Sequence, residues 1–191
     1  MRSGIQGEWL RLGVSFAVAA CLVVAAAAVA ETQQRKAVAV ISGCTDPGIT
    51  GMATLIEKPS EEGLKEVEVH VVVKGLAAGK HGVHLHENAA CTPCASAGGH
   101  FDPGPNGNSS PDGNHPFHSG DLPNLVANAG VGLLHATTTR VTLSPGPLSL
   151  FDASGSAIIV HVNEDTYCPD GPDAGCAGGG RAACGIIEPA D

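Results

Sequence analysis

The sequence predicts an all-β domain, a sandwich or barrel of short strands, on three observations. Glycine (26) and proline (13) are abundant in a chain of 191 residues, while aromatic residues make up 3%. That composition favours frequent turns over a helix bundle. Val67, Val69, Val71 and Val73 share one parity between Leu64 and Val73, with Glu66, Glu68, His70 and Val72 on the other, the period-2 pattern of a half-buried strand. No helix-period pattern appears beyond the N-terminal segment, and short apolar runs recur between turn signals.

In chain order, residues 1–30 come first. Arg2 and Arg11 flank a short polar start, Leu12–Ala30 carries no charge, and Ala28-Val29-Ala30 precedes Glu31. This reads as a secretory signal cleaved after Ala30. Two anchors remain as alternatives. The uncharged run of 19 residues is long enough to cross a bilayer if retained, and Val18-Ala19-Ala20-Cys21 looks like a bacterial lipobox, against which stands the apolar stretch after Cys21. Residues 31–36 read as a loose tail before a domain over 37–191. Ala37–Ser42 and Gly51–Glu57 are strand candidates on either side of a turn at Cys44-Thr45-Asp46-Pro47-Gly48. Leu64–Val73 and Gly82–Glu87 follow. Cys91–Asn128 is a long loop rich in Gly, Pro, Asn, Ser and His, of the kind that is functional or held by metal or disulfide. Val131–Leu134, Thr137–Leu143 and Ser156–Val162 are strand-like. Tyr167–Gly180 is a second Gly/Pro-rich loop, and Arg181–Ile187 closes the chain as a last strand.

Without residues 1–30 the chain keeps 8 basic and 18 acidic residues, a net charge of −10. An acidic domain without basic runs is a poor partner for nucleic acid or an anionic membrane surface. Six cysteines remain, at 44, 91, 94, 168, 176 and 184; an even number in an exported domain points to disulfides.

Nine histidines stand at 70, 81, 84, 86, 100, 115, 118, 135 and 161. His84-Leu85-His86 lies on a strand candidate, and residues i and i+2 share a face, so both imidazoles can reach one metal. His161 belongs to a separate strand and His100 to the early part of the long loop. Four neutral imidazoles suit Cu(II), which favours nitrogen ligation. His100, His118 and Asp121 offer a second centre of the nitrogen-plus-carboxylate type that suits Zn(II). Imidazole can use both ring nitrogens, so a shared histidine could join the two. A lone histidine on a strand is more often an ordinary core or surface residue, and His70 and His135 are read that way. His-x-His by itself is a weak signal; the set of four with its loops is far more specific.

The motifs around these residues resemble a known family. His81-Gly82-Val83-His84-Leu85-His86-Glu87 looks like the copper-binding strand of copper–zinc superoxide dismutases. Ser96-Ala97-Gly98-Gly99-His100-Phe101-Asp102-Pro103 looks like their bridging-histidine segment, and His118-Ser119-Gly120-Asp121-Leu122-Pro123-Asn124 like the end of their zinc loop. Ile158-Ile159-Val160-His161 and Gly180-Arg181-Ala182-Ala183-Cys184-Gly185-Ile186-Ile187 match their last copper ligand and C-terminal signature. The resemblance implies an eight-stranded Greek-key β-barrel or flattened sandwich with two long functional loops. It implies copper on His84, His86, His100 and His161, and zinc on His100, His118 and Asp121. It implies that Arg181 guides superoxide, that His100 hands on a proton, that Asp165 orients ligands of both metals, and that His81 is structural. The implied reaction is dismutation of superoxide to oxygen and hydrogen peroxide. The implied disulfide joins Cys184 to Cys91 or Cys94, Cys91 being preferred; Cys168 with Cys176, and Cys94 with Cys44, would use the remainder.

This sequence departs from the family's pattern in two places. The family's other zinc histidine is missing: Ser109 and Asn108 stand near the midpoint between His100 and His118, and neither is a good zinc ligand. His115 is the candidate replacement; the other reading leaves His115 in solvent and the enzyme copper-only. The second loop is acidic, with Glu164, Asp165, Asp170 and Asp173 and no Lys or Arg between His161 and Arg181, so steering of an anion is expected to be weaker or to come from elsewhere, such as Lys80. Two rival readings are a copper-binding or copper-delivery module without turnover and a zinc hydrolase or lyase built on His-x-His. The expected setting is periplasmic or extracellular, with a membrane contact only if the N-terminal segment is kept or lipidated. A homodimer stays open.

Overall fold

The computed structural model describes residues 34–59, 64–104, 115–171, 173 and 175–190. The readings of residues 1–33, Asn108 and Ser109 lie outside them. Ten strands form one antiparallel sheet: β1 Arg35–Gly43, β2 Thr50–Pro59, β3 Lys65–Lys74, β4 Gly79–His81, β5 Val83–His86, β6 Leu125–Asn128, β7 Val131–Thr138, β8 Ala157–His161, β9 Arg181–Ile186 and β10 Glu188–Ala190. Their order is β4-β6-β7-β3-β2-β1-β9-β8-β5, with β10 paired to β1. The two ends of this path, β4 and β5, are separated in the chain by Gly82 alone, so the sheet curls into a nearly closed barrel. Counting β4 and β5 as one stave and β10 as an appendage gives the eight staves expected, and the jumps from β3 to β4 and from β7 to β8 are its Greek-key crossings.

Strand alternation builds the core. Val67, Val69, Val71 and Val73 of β3 face inward with Ala37, Ala39 and Ile41 of β1, Ala53 and Leu55 of β2, Val83 and Leu85 of β5, and Ile158 and Val160 of β8. Burial of these aliphatic side chains supplies the main driving force. The opposite parity of β8, Ala157 and Ile159, lies outside the barrel in a small cluster beside Cys184 and the loop residue Ala97.

Several boundaries differ from the sequence reading, and Gly79–His81 is a short strand it did not contain. β1 begins at Arg35, which pairs with Glu57, so the expected tail shortens. Leu125–Asn128, expected inside the long loop, is a strand bonded to β4 and β7. Val131–Thr138 is one strand, whereas residues 139–143 form a connection that buries Val141 and Leu143 in the core. That connection takes hydrogen bonds from a side chain as well as from a short backbone bridge at Thr142: Glu57 accepts from the Leu143 amide at 2.6 Å and the Ser144 amide at 2.8 Å. The chain also continues past β9 into β10.

Three disulfides staple the loops: Cys91–Cys184 ties the long loop to β9, Cys44–Cys94 ties it to the turn after β1, and Cys168–Cys176 closes the second loop on itself, spanning 93, 50 and 8 residues of sequence.

Candidate metal centres

β5 and β8 carry the site. In β5, Val83 and Leu85 point into the core, which leaves His84 and His86 on the outer face. His84 pairs with Ile159 and His86 with Ala157 across to β8. His161 follows Ile159 on that face, and the register shifts between Val160 and His161, an irregularity that re-aims a side chain. The long loop then returns along the free edge of β5. The Leu85 amide donates to the Gly120 carbonyl at 2.9 Å, and the Leu85 carbonyl accepts from the Phe101 amide at 2.8 Å. A Cβ on residue 120 would collide with the Leu85 carbonyl, so only glycine lets the loop come this close. This docking brings His100 beside His86 and Asp121 beside His84.

His84, His86, His100 and His161 are all buried, and one ring nitrogen from each falls within 4.8 Å of the others. Each ring commits one nitrogen to a fixed partner. His84 Nε2 bonds Asp165 at 2.9 Å, His86 Nδ1 donates to the Gly98 carbonyl at 3.0 Å, His100 Nδ1 bonds Asp121 at 2.6 Å, and His161 Nδ1 donates to the Gly179 carbonyl at 3.0 Å. The other four nitrogens, His84 Nδ1, His86 Nε2, His100 Nε2 and His161 Nε2, are buried without a hydrogen-bond partner. Four buried, inward lone pairs are costly unless an ion takes them. Burial lowers the pKa of His84 to about 3 and of His161 to about 4, and that of His86 well below its ordinary value. The rings are therefore neutral, as ligands must be.

A second cluster surrounds Asp121. Its oxygens lie 2.6 Å from His100 Nδ1, 3.1 Å from His115 Nδ1 and 3.2 Å from His118 Nδ1. The last two nitrogens are close to the carboxylate yet not aligned for hydrogen bonds, the arrangement of donors grouped around a shared ion. A grouping by distance alone places His84 here with His100, His115 and Asp121. His118 Nδ1 stands beside the same carboxylate, whereas His84 Nε2 is held by Asp165 and its Nδ1 belongs to the first group as well. Burial would raise the Asp121 pKa, but the three histidines hold it far below the carboxylate range. Three nitrogens and one carboxylate fit tetrahedral zinc. His115, expected either here or in solvent, is 7% exposed. Its Nε2 lies 2.8 Å from Asp165, and its ring is parallel to that of Tyr167, with centroids 6.4 Å apart.

Asp165 is fully buried and touches a histidine of each cluster, His84 and His115. It is held in turn by the Tyr167 amide, which donates at 2.7 Å. Asn124 donates to the Asp165 carbonyl at 2.8 Å and accepts from its amide at 2.9 Å. Carboxylates behind metal-bound imidazoles fix ring orientation and basicity.

Comparison with known proteins agrees with this geometry. The family profile described as "Copper/zinc superoxide dismutase (SODC)" matches residues 49–187. The chain belongs to that family. It is 37% identical over 155 residues to "Superoxide dismutase [Cu-Zn]" of Deinococcus radiodurans, covering 73% of this chain and 78% of that one. Identity is 38% over 125 residues to "Superoxide dismutase [Cu-Zn] 1" of Salmonella typhimurium (61% of this chain, 67% of that one) and 36% over 128 residues to the Brucella abortus enzyme (62% and 69%).

Against the superoxide dismutase pattern, the remaining residues fall as follows. Arg181 is half-buried beside the four-histidine group, its Nη1 donating to the Cys94 carbonyl at 2.6 Å and its Nη2 to the Gly98 carbonyl. His81 lies beneath, with Nδ1 on the His161 carbonyl at 2.9 Å and Nε2 on the Ala77 carbonyl at 3.1 Å. Lys80 does not stand as a lone cation, because Glu164 pairs with it at 2.6 Å. Sequence reading missed three contributors. The Gly98 carbonyl serves both His86 and Arg181, in a backbone with φ +77 that favours glycine. Tyr167 flanks His115. Arg140 donates to the carbonyls of Pro116 and Asp121, bracing the loop between them. Only Gly98 had a signal, as part of the Gly98-Gly99-His100 motif.

Proposed function

We propose that this protein is a superoxide dismutase, with His84, His86, His100 and His161 as copper ligands and His100, His115, His118 and Asp121 as zinc ligands. The observation that carries the reading is the ring of four bare, buried imidazole nitrogens beside a fixed guanidinium. Copper held there supplies one-electron chemistry in both directions, which zinc cannot. In total, two superoxide ions and two protons become one oxygen and one hydrogen peroxide.

The chain's own residues set up this chemistry. Arg181 keeps its charge at any working pH and is anchored at both guanidinium ends, so it draws and orients an anion. His100 turns Nδ1 toward Asp121 and the zinc group, which leaves Nε2, on the copper side, as the atom that can hold a proton and give it to a peroxide. Asp165 and the carbonyls of Gly98 and Gly179 lock the other rings, so little reorganises during turnover. Three disulfides suit an oxidising compartment, and the relatives are bacterial; we read the protein as exported.

The test is pulse radiolysis on the copper- and zinc-loaded protein. Fast, copper-dependent removal of superoxide is expected. Full copper occupancy with no acceleration beyond free copper would leave a binding or delivery module instead.

A further inference from the structure

Seven of the nine histidines, all but His70 and His135, are buried in the two centres or against them. These two lie on the outer face of β3 and β7 and are opposite one another in register. Their rings stack with centroids 4.2 Å apart and planes 20° from parallel. The His70 side chain is 43% exposed and His135 is exposed. Glu68, the next outward residue of β3, puts Oε2 3.9 Å from His70 Nε2. Its carboxylate is held below its ordinary pKa, first by the Lys58 ammonium, which bonds it at 2.5 Å, and further by both imidazoles. Thr54 on β2 and Thr137 on β7 are the polar residues facing His70 and Glu68.

We propose that His70 and His135 form a third, surface site for a borderline divalent transition-metal ion such as Cu(II), Zn(II) or Ni(II), with the Glu68 carboxylate beside it. Directly opposed residues of an antiparallel pair have Cβ atoms about 4.5–5.5 Å apart, a span that one ion bridges once the two rings turn from stacking to converging. The strands fix both Cα positions, so binding orders little beyond the two rings. Two imidazoles and a carboxylate select borderline transition metals over calcium or magnesium, which take oxygen ligands. β3 and β7 carry none of the seven buried histidines, and the site opens to solvent, so its ion exchanges independently of the buried pair.

The experiment uses the full protein with copper and zinc already loaded, titrated with Cu(II) by calorimetry and followed by EPR. One further equivalent with nitrogen superhyperfine structure is expected. His70→Gln and His135→Gln should each weaken that equivalent at least about tenfold, because a pincer fails when either arm is lost, and Glu68→Gln should weaken it by up to about tenfold. All three side chains are on the surface, so dismutase activity should not change. Zn(II) should also slow acylation of both rings by diethyl pyrocarbonate. No third equivalent, or a third equivalent unaltered in the double variant H70Q/H135Q, overturns the site, as does acylation at the same rate with and without zinc.

Discussion

His84 and His115 are joined through a single buried carboxylate: their Nε2 atoms lie 2.9 and 2.8 Å from Asp165. The two rings belong to different clusters, so one side chain aligns both. Asp165→Asn should lower zinc affinity about 10–100-fold and alter the copper EPR spectrum while copper stays bound. Metal analysis after dialysis against a weak chelator checks this; unchanged zinc retention would show that Asp165 does not position the second cluster.

His115 gives a sharper test of the unusual loop. Against its burial, Asp121 and Asp165 raise its pKa to about 9, so it carries a proton in the ion-free protein at pH 7. Zinc uptake should therefore release a proton, and zinc affinity should fall as pH drops below about 9. His115→Ala should abolish the zinc equivalent and keep copper. Calorimetry in buffers of different ionisation enthalpy reads the proton; a variant that keeps its zinc sinks the assignment.

Arg181 bears on rate more than on stability. Arg181→Gln removes the charge next to the four-histidine group, and kcat/KM should drop about 10–100-fold, within the range for electrostatic steering, to which this enzyme family itself contributed. Much of the wild-type dependence on ionic strength should vanish with it. Pulse radiolysis across salt concentrations separates this from a loss of copper, which leaves the protein short of metal and not merely slow.

Acid should destabilise the ion-free protein. His84 and His161 titrate near 3 and 4 when folded, mainly through burial, against 6.5 as the ordinary value. The unfolded chain thus binds protons that the folded one refuses, and stability falls as pH drops from about 6.5 toward 4. Asp121 and Asp165, held low by their histidines against the effect of burial, extend the loss to more acid pH, below their ordinary value of 3.8. His115 works the other way: its contribution is complete below 6.5 and is lost as pH rises through about 9. Urea midpoints of chelator-treated protein between pH 4 and 10 should show a maximum with a steeper acid side; a flat profile would contradict it.

Cys91–Cys184 closes a span of 93 residues. A loop of that size gives about 4–5 kcal/mol in the chain-entropy account, so Cys184→Ser should lower denaturant stability by several kcal/mol. A shift below about 1 kcal/mol would mean that other contacts already restrain this loop.

Much of this was legible in the sequence. The valines of β3 announce their face by parity, and His84 and His86 share a face for the same reason. The copper-type set was readable because three of its members sit in strands and the fourth in a distinctive glycine motif. The place of His115 was not readable: it depends on how a loop folds back onto Asp121 and Asp165, which lie 6 and 50 residues away in sequence, and no periodicity records that. β6 went unseen because four residues after Pro123 are too few for a pattern. The contact between His70 and His135 depends on register between strands far apart in the chain, so each looked like an isolated surface residue.

The closure at Gly82 has a consequence for how this protein fails. An open sheet offers rows of free amides and carbonyls on which foreign strands can grow. Here both ends of the main strand path fall within residues 79–86, with only the short β10 standing apart on β1, and the end on β5 is covered by the loop that holds His100 and Asp121. We expect loss of the ions to loosen that cover before the valine core, so that a demetallated population turns adhesive along β5 first while most of the barrel remains intact.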